Sequence, residues 1–212
     1  MNNAIIDDLN WRYATKKYDS EKKISSEDFE TICESLRLVP SSYGLQPVKY
    51  IVVNDKSMRE KLLPLAYNQP QITDASHLIV ICSYRNISPK IVAEHLTLMS
   101  EVRSIPLEDL SKFGENMNAS FAKLSAEELC EWTAKQAYIS LGHIMHTCAN
   151  LRIDATPMEG FNKLSFDEAL NLTSNNLQSV LLLALGYRSP EDKLSSLPKV
   201  RKPLSEIIEI VK

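Results

Sequence analysis

The sequence predicts one domain of interleaved helices and strands around a single core, spanning residues 1–212. Three observations lead there. Apolar runs at Val48–Val53, His77–Cys82 and Gln178–Gly186 have strand length and alternate with longer amphipathic stretches that carry helix caps. The chain is 44% hydrophobic, which is enough to bury roughly 70% of its unfolded surface without disulfide or metal staples. No repeat, low-complexity tract or linker divides it.

Ile5, Ile6, Leu9 and Tyr13 recur at helical spacing and predict a first helix from Asn3 to Tyr13. Ser25, with Asp28 three positions on, opens a second helix with Phe29, Ile32, Cys33 and Leu36 on its inner face. It must stop before Pro40, because proline pushes the preceding residue out of helical geometry. A loop from Pro40 to Pro47 feeds the strand Val48–Val53, and Ser57 is expected to cap a short helix. The continuous apolar run His77–Cys82 reads as a buried central strand. Pro89 suits the first turn of a helix reaching Val102. Residues 104–124 are the least patterned stretch and are expected to form a mobile excursion over the active site.

Ser125 and Glu128 form a capping box for a helix running to Asn150. Its part from Ala137 to Ala149 is apolar almost all round, so this helix belongs at the centre, with a second subunit covering part of it. Leu151–Ala155 is expected as a strand, Ser165 with Glu168 as the cap of a short helix, and Gln178–Gly186 as the clearest buried strand. Past Pro198 and Pro203, the residues Ile207, Ile208, Ile210 and Val211 still need burial, which a partner's sheet edge would supply.

With 24 basic and 27 acidic side chains and a net charge of −3, neither a nucleic-acid coat nor a polybasic membrane anchor is expected. The five glycines, Gly44, Gly114, Gly142, Gly160 and Gly186, are too far apart for a Rossmann fingerprint, a Walker loop or a nucleophile elbow. A nucleotide would have to be gripped by side chains. Four dispersed cysteines read as buried hydrophobes in a reducing compartment, and no charged leader precedes a long apolar run, so a cytoplasmic protein is expected. His77, His95, His143 and His146 lack ligand-spaced partners, and no metal site is expected.

Two short basic clusters remain, Arg12 with Lys16 and Lys199 with Arg201, both set in stiff turns that suit a phosphate clamp. Glu159 lies in the turn Pro157-Met158-Glu159-Gly160-Phe161, where glycine permits close approach of a ligand to the backbone.

The order and spacing of Arg12-Tyr13-Ala14-Thr15-Lys16-Lys17-Tyr18-Asp19, Pro40-Ser41-Ser42 with Gln46-Pro47, Asp74-Ala75-Ser76-His77, Glu131-Trp132 with Ala134-Lys135-Gln136, the Pro157–Phe161 turn and Leu197-Pro198-Lys199-Val200-Arg201 resemble the FMN-dependent NAD(P)H nitroreductase family over nearly the whole chain. The likeness is to the oxygen-insensitive bacterial nitroreductases and the related flavin and dihydropteridine reductases. It implies an α+β fold with a mixed central sheet flanked by helices, an obligate homodimer, and a C-terminal segment extending onto the partner subunit. It also implies FMN at each subunit interface and NAD(P)H as hydride donor.

By matching position, Arg12, Lys199 and Arg201 would meet the FMN phosphate, and Tyr13 and Ala14 would also bind the cofactor. Lys16, Asn68 and Gln71 would line the pyrimidine edge. Ser41 and Ser42 would come from the other subunit, Pro157, Glu159 and Gly160 would pack on one flavin face, and Pro40, Gly44 and Met158 would also bind the cofactor. No side chain is assigned the chemistry, which occurs at flavin N5 next to Glu159 and Gly160. Gln71 stands where close relatives carry a second lysine, so a lower flavin potential is expected; Ala14 replaces a hydroxyl residue and Gly44 an amide. The implied activity is ping-pong transfer of two electrons to nitroaromatic, quinone or flavin-like acceptors. A protein that stores or delivers FMN with little turnover is the second reading.

Overall fold

A computed structural model describes residues 3–211. The first helix, α1 (Ala4–Trp11), ends two residues earlier than its apolar spacing suggests, because Arg12 is already extended at φ −69°, ψ 141°. In α2 (Ser26–Arg37) the Ser25 hydroxyl accepts from the Asp28 N–H, as its sequence predicts. The strand β1 (Val48–Val53) also has its expected bounds. The next cap differs. Asp55, not Ser57, accepts from Met58 N–H to open α3 (Lys56–Leu62), and the Ser57 hydroxyl donates to Asp55. A single turn, α4 (Gln71–Asp74), then leads into β2 (His77–Tyr84).

After α5 (Pro89–Arg103), the stretch expected to lack pattern is largely helical: α6 (Ser111–Phe121) packs Gly114, Met117 and Phe121 inward. Leu110, Phe113, Met117 and Phe121 follow one another at i+3 and i+4, but no side chain caps the helix start, so its usual sequence signal is missing. The central helix α7 (Ala126–Asn150) has the full Ser125–Glu128 capping box. The third strand, β3 (Asp154–Met158), lies three residues beyond Leu151–Ala155 and includes Pro157, which an edge strand tolerates. Asn162, rather than Ser165, caps α8 (Lys163–Ala169), and β4 (Leu177–Gly186) completes the sheet.

The strand order is β1-β2-β4-β3. All three ladders are antiparallel, so within one chain the sheet of this α+β fold is antiparallel rather than mixed. Alternation sorts β2 cleanly. Ile79 and Ile81 face α2 and α7, while Leu78, Val80 and Cys82 face the other core with Leu62, Phe166 and Ala184. A third cluster joins α5, α6 and the start of α7 through Val92, Leu96, Met117, Phe121 and Leu129. From Leu197 the chain leaves this body; Val200, Leu204, Ile207, Ile208, Ile210 and Val211 are all exposed. No helix among the described residues is long and apolar enough to cross a membrane.

Candidate functional site

Arg12 and the C-terminal segment meet. The Lys199 ammonium donates to the Arg12 carbonyl oxygen. Burial first, and then the Arg201 charge, hold the Arg12 guanidinium below its ordinary pKa. Burial likewise lowers that of the Lys199 ammonium, helped by Arg12, Arg201 and Arg188. None of Arg12, Lys199 and Arg201 forms a salt bridge among the described residues, and Arg12 Nε is buried without a hydrogen-bond partner. Like charges gathered without an acid repel one another and leave donors unpaired, which is the electrostatic form of an anion site.

Beside this cluster lies Arg188, whose charge reaches Lys199 and is neutralised by the buried Asp154; neither residue carries a motif signal. Asp154 is 2% exposed; it accepts from Arg188 N–H at 2.8 Å, from its guanidinium at 2.6 to 3.0 Å, and from the Thr15 hydroxyl at 3.0 Å. The Arg188 guanidinium lies 4.3 Å over the Trp11 ring and 4.5 Å over that of Tyr13. A lone aspartate at the mouth of the apolar run from Ile153 to Met158 was the available clue, since a buried carboxylate needs a cation.

Asp192, 4% exposed, joins the two ends of the chain: it accepts from Lys16 N–H at 2.7 Å, Lys17 N–H at 2.9 Å and Leu194 N–H at 3.0 Å. Burial pushes its carboxyl up, but the three N–H donors outweigh burial and hold it below the usual carboxylate range. A lowered folded-state pKa stabilises the fold above the unfolded value and loses that stabilisation as pH falls through the folded one. The melting temperature of Asp192→Asn should therefore lie below that of the parent at pH 7, and the gap should close below about pH 4. A gap constant with pH would mean that the carboxylate's charge is immaterial. Asp192 thus fixes the backbone of Lys16, whose side chain is exposed.

A second group assembles around residue 160. Tyr67 and Asn68 are both left-handed, with φ of 54° and 55°. Gln69 Nε2 donates to the Gly160 carbonyl at 2.7 Å, and a Cβ added at Gly160 would lie 3.4 Å from that nitrogen. Gln71 is 5% exposed, and its Oε1 is buried with no partner. Glu159 and Gly160 are exposed at the end of the edge strand, with the Glu159 carboxylate accepting from the Tyr138 hydroxyl. The Met158 side chain instead sits in the core beside Phe161, because strand alternation turns it inward; it offers a ligand only backbone.

The Pro40–Gly44 loop is not part of either group. Ser42 N–H donates to Gln136 Oε1 at 2.8 Å, Ser41 Oγ accepts from Gln46 N–H, and Gly44 has φ +69°. Tyr43 packs on Phe113, Phe121 and Trp132. α1 is tied to the far end of α7, where Asn150 Nδ2 donates to Asp8 at 3.2 Å. Gln136 and Asn150 stand about 21 Å apart along that helix at 1.5 Å per residue. One chain therefore brings together the basic cluster and, separately, the residue-160 group, but anchors the serine loop at a different part of α7.

The description "Nitroreductase family" matches residues 9–187. A protein of Staphylococcus aureus (strain USA300) named as an NAD(P)H nitroreductase is 33% identical over 100% of this chain and 97% of its own. In structure, a Bacillus subtilis protein described as a nitroreductase has a TM-score of 0.87 at 20% identity, covering 98% of this chain and 99% of that one. A nitroreductase from Exiguobacterium sibiricum 255-15, solved in complex with FMN, has a TM-score of 0.83 at 22% identity, covering 98% and 97%. The match over residues 9–187, with a relative 33% identical along the whole chain, places this protein in the nitroreductase family.

Proposed function

We propose that this chain is an FMN-dependent oxidoreductase that moves two electrons from NAD(P)H to nitroaromatic, quinone or flavin-like acceptors in a ping-pong cycle, and that it works as a homodimer. The observation that carries this is the acid-free cluster of Arg12, Lys199 and Arg201 with its buried, unpaired Arg12 Nε. A phosphate monoester, close to doubly charged at neutral pH, would relieve the repulsion and fill that donor. The Gln71 oxygen fits too: a buried amide oxygen without a partner suits an N–H donor such as the pyrimidine edge of a flavin carries.

Bound FMN would supply the two-electron redox chemistry, which no side chain here can carry. The protein's residues hold and tune it. Arg12, Lys199 and Arg201 would hold the phosphate. Lys16 would offer a positive charge to the ring edge where negative charge gathers on reduction, and Asn68 and Gln71 would orient that edge. Pro157, Glu159 and Gly160 would cover one flavin face and exclude water from it, which would leave the other to donor and acceptor. Ser41, Ser42 and the rest of their loop, displaced along α7, serve the site of a second copy.

The exposed apolar tail fits the same dimer. A groove of about 360 Å³ beside the edge strand β1, lined by Cys33, Leu36, Val48, Tyr50 and Val52, offers burial and unpaired backbone to Ile207–Val211 of the other chain.

The test of function is anaerobic mixing of the purified yellow protein with NADPH or NADH. Rapid loss of the flavin band at about 450 nm, restored by one equivalent of a nitroaromatic or quinone, is expected; a band that persists would favour FMN storage. At the ring edge, Gln71→Lys should raise the flavin midpoint potential measured by dye equilibration, because it adds a cation beside the charge formed on reduction. An unchanged or lower potential would remove Gln71 from that edge.

A further inference from the structure

Between the end of β2 and the first turn of α7 lies a cavity of about 780 Å³ that includes none of the residues assigned to the cofactor. Its floor is apolar: Ile87, Phe121 and Leu129 are buried members of the cluster joining α5, α6 and α7, with Leu124 packed against them. Its rim is polar, made by Arg85, Asn86, Asn118 and Asn176. That size, and an apolar body beside a few polar groups, are what small-molecule sites share. Cys130, the last α7 residue to line it, stands about 30 Å along the helix from Asn150 at the α1 end, so the cavity is remote from the Arg12 cluster.

The rim is held by its backbone, which leaves side chains available. Arg85 N–H donates to the Asn176 carbonyl at 2.9 Å, the Cys130 thiol donates to the Arg85 carbonyl at 3.4 Å, and Asn176 Nδ2 donates to the Asn86 carbonyl at 2.7 Å. Asn176 takes the left-handed conformation, with φ 59°, that asparagine tolerates better than most residues. The Arg85 guanidinium, by contrast, has no salt bridge or hydrogen bond among the described residues, and neither do the Asn86 and Asn118 carboxamides. No aspartate or glutamate lines the cavity.

One guanidinium without an acid suits a monoanion, as the three cations gathered around Arg12 suit a dianionic phosphate monoester. A carboxylate matches the guanidinium fork in two parallel hydrogen bonds, and a carboxamide can add a third donor. The buried floor asks for more than an ion, because its apolar area is covered only by a hydrocarbon body. We propose that this cavity binds a small amphipathic monocarboxylate, with its carboxylate on Arg85 and its aromatic or aliphatic body over Ile87, Phe121 and Leu129. The site is separate from the flavin chemistry and does not depend on it.

The experiment titrates the full chain, as purified, with 3-phenylpropionate, with its neutral amide and with inorganic phosphate, following the Ile87 Cδ1 methyl signal by NMR. Ile87→Val identifies that signal by its loss. The carboxylate is expected to shift it saturably with a Kd of about 1 mM or tighter, and the amide to bind roughly three- to fivefold more weakly. In Arg85→Gln, a change at an exposed side chain that leaves the floor intact, carboxylate and amide should bind alike. Phosphate, which has no apolar body, should leave the signal unmoved. An Ile87 signal that the carboxylate does not shift, a preference for the carboxylate that persists in Arg85→Gln, or an equal response to phosphate would overturn the proposal. Arg12→Ala should give the same titration as the parent; loss of the shift there would assign the carboxylate to the Arg12 cluster and overturn the proposal too.

Discussion

Asp154→Ala is expected to destabilise the protein by about 3 kcal/mol, the cost typical of leaving one partner of a buried ion pair alone. The carboxylate is 2% exposed and is shared by the Arg188 guanidinium, the Arg188 N–H and the Thr15 hydroxyl, so its loss orphans several donors at once. Arg188 would then stand uncompensated beside Lys199, adding to a repulsion already present. Urea denaturation would show the change as a lower midpoint at similar slope. Replacing both partners by apolar residues, as in Asp154→Leu with Arg188→Met, should cost less than either single change, since no buried charge is left behind. A loss below about 1 kcal/mol for Asp154→Ala would mean that the pair is effectively solvated and does not support the site.

Arg12→Ala should weaken FMN binding by about 10- to 100-fold, the worth of a charge-assisted hydrogen bond to a phosphate. Arg201→Ala should act in the same direction, whereas Lys193→Ala, on the exposed turn before the tail, should leave FMN affinity unchanged. The sign of the effect on the FMN-free protein is the sharper check. Arg12 repels Lys199 and Arg201 and carries an unpaired Nε there, so its removal should leave the stability of the FMN-free protein unchanged or slightly raised while affinity falls. Fluorescence titration of FMN into stripped protein, with thermal melts of the same samples, separates the two. Equal FMN loss in Arg12→Ala and Lys193→Ala would remove the clamp.

Where the sequence is a good guide, a local rule and the packing agree. Ser25, Ser125 with Glu128, and the run Val48–Val53 mark elements whose caps or bounds the structure keeps. Where it misleads, two candidates compete for one job. Asp55 starts α3 two residues before Ser57 could, because its carboxylate takes Met58 N–H and also occupies the Ser57 hydroxyl. Asn162 displaces Ser165 because helix α8 begins earlier, where the chain is already pinned by Leu65. Residues 104–124 conceal α6 because its apolar face shows only against α5 and α7.

The site divides in the same way. Arg12, Lys199 and Arg201 were visible as basic residues in stiff turns, and their meeting depends on the fold. Arg188 and Asp192 were not visible, and Asp154 only as a lone carboxylate beside Ile153, because what makes them matter is burial and long-range pairing. The separation of Ser42 from Arg12 along α7 is likewise a property of the folded chain alone.

That separation supports the most demanding test. Arg12→Ala damages the clamp of a chain's own site, while Ser42→Trp would obstruct the site of its partner. Each variant alone should be FMN-poor. Unfolding and refolding them together in equal amounts should return tight FMN binding to roughly a quarter of all sites, because half the dimers are mixed and each mixed dimer carries one site with neither change. Mixed dimers that form, confirmed by mass, yet bind no more FMN than the separate variants would contradict a site shared between two chains.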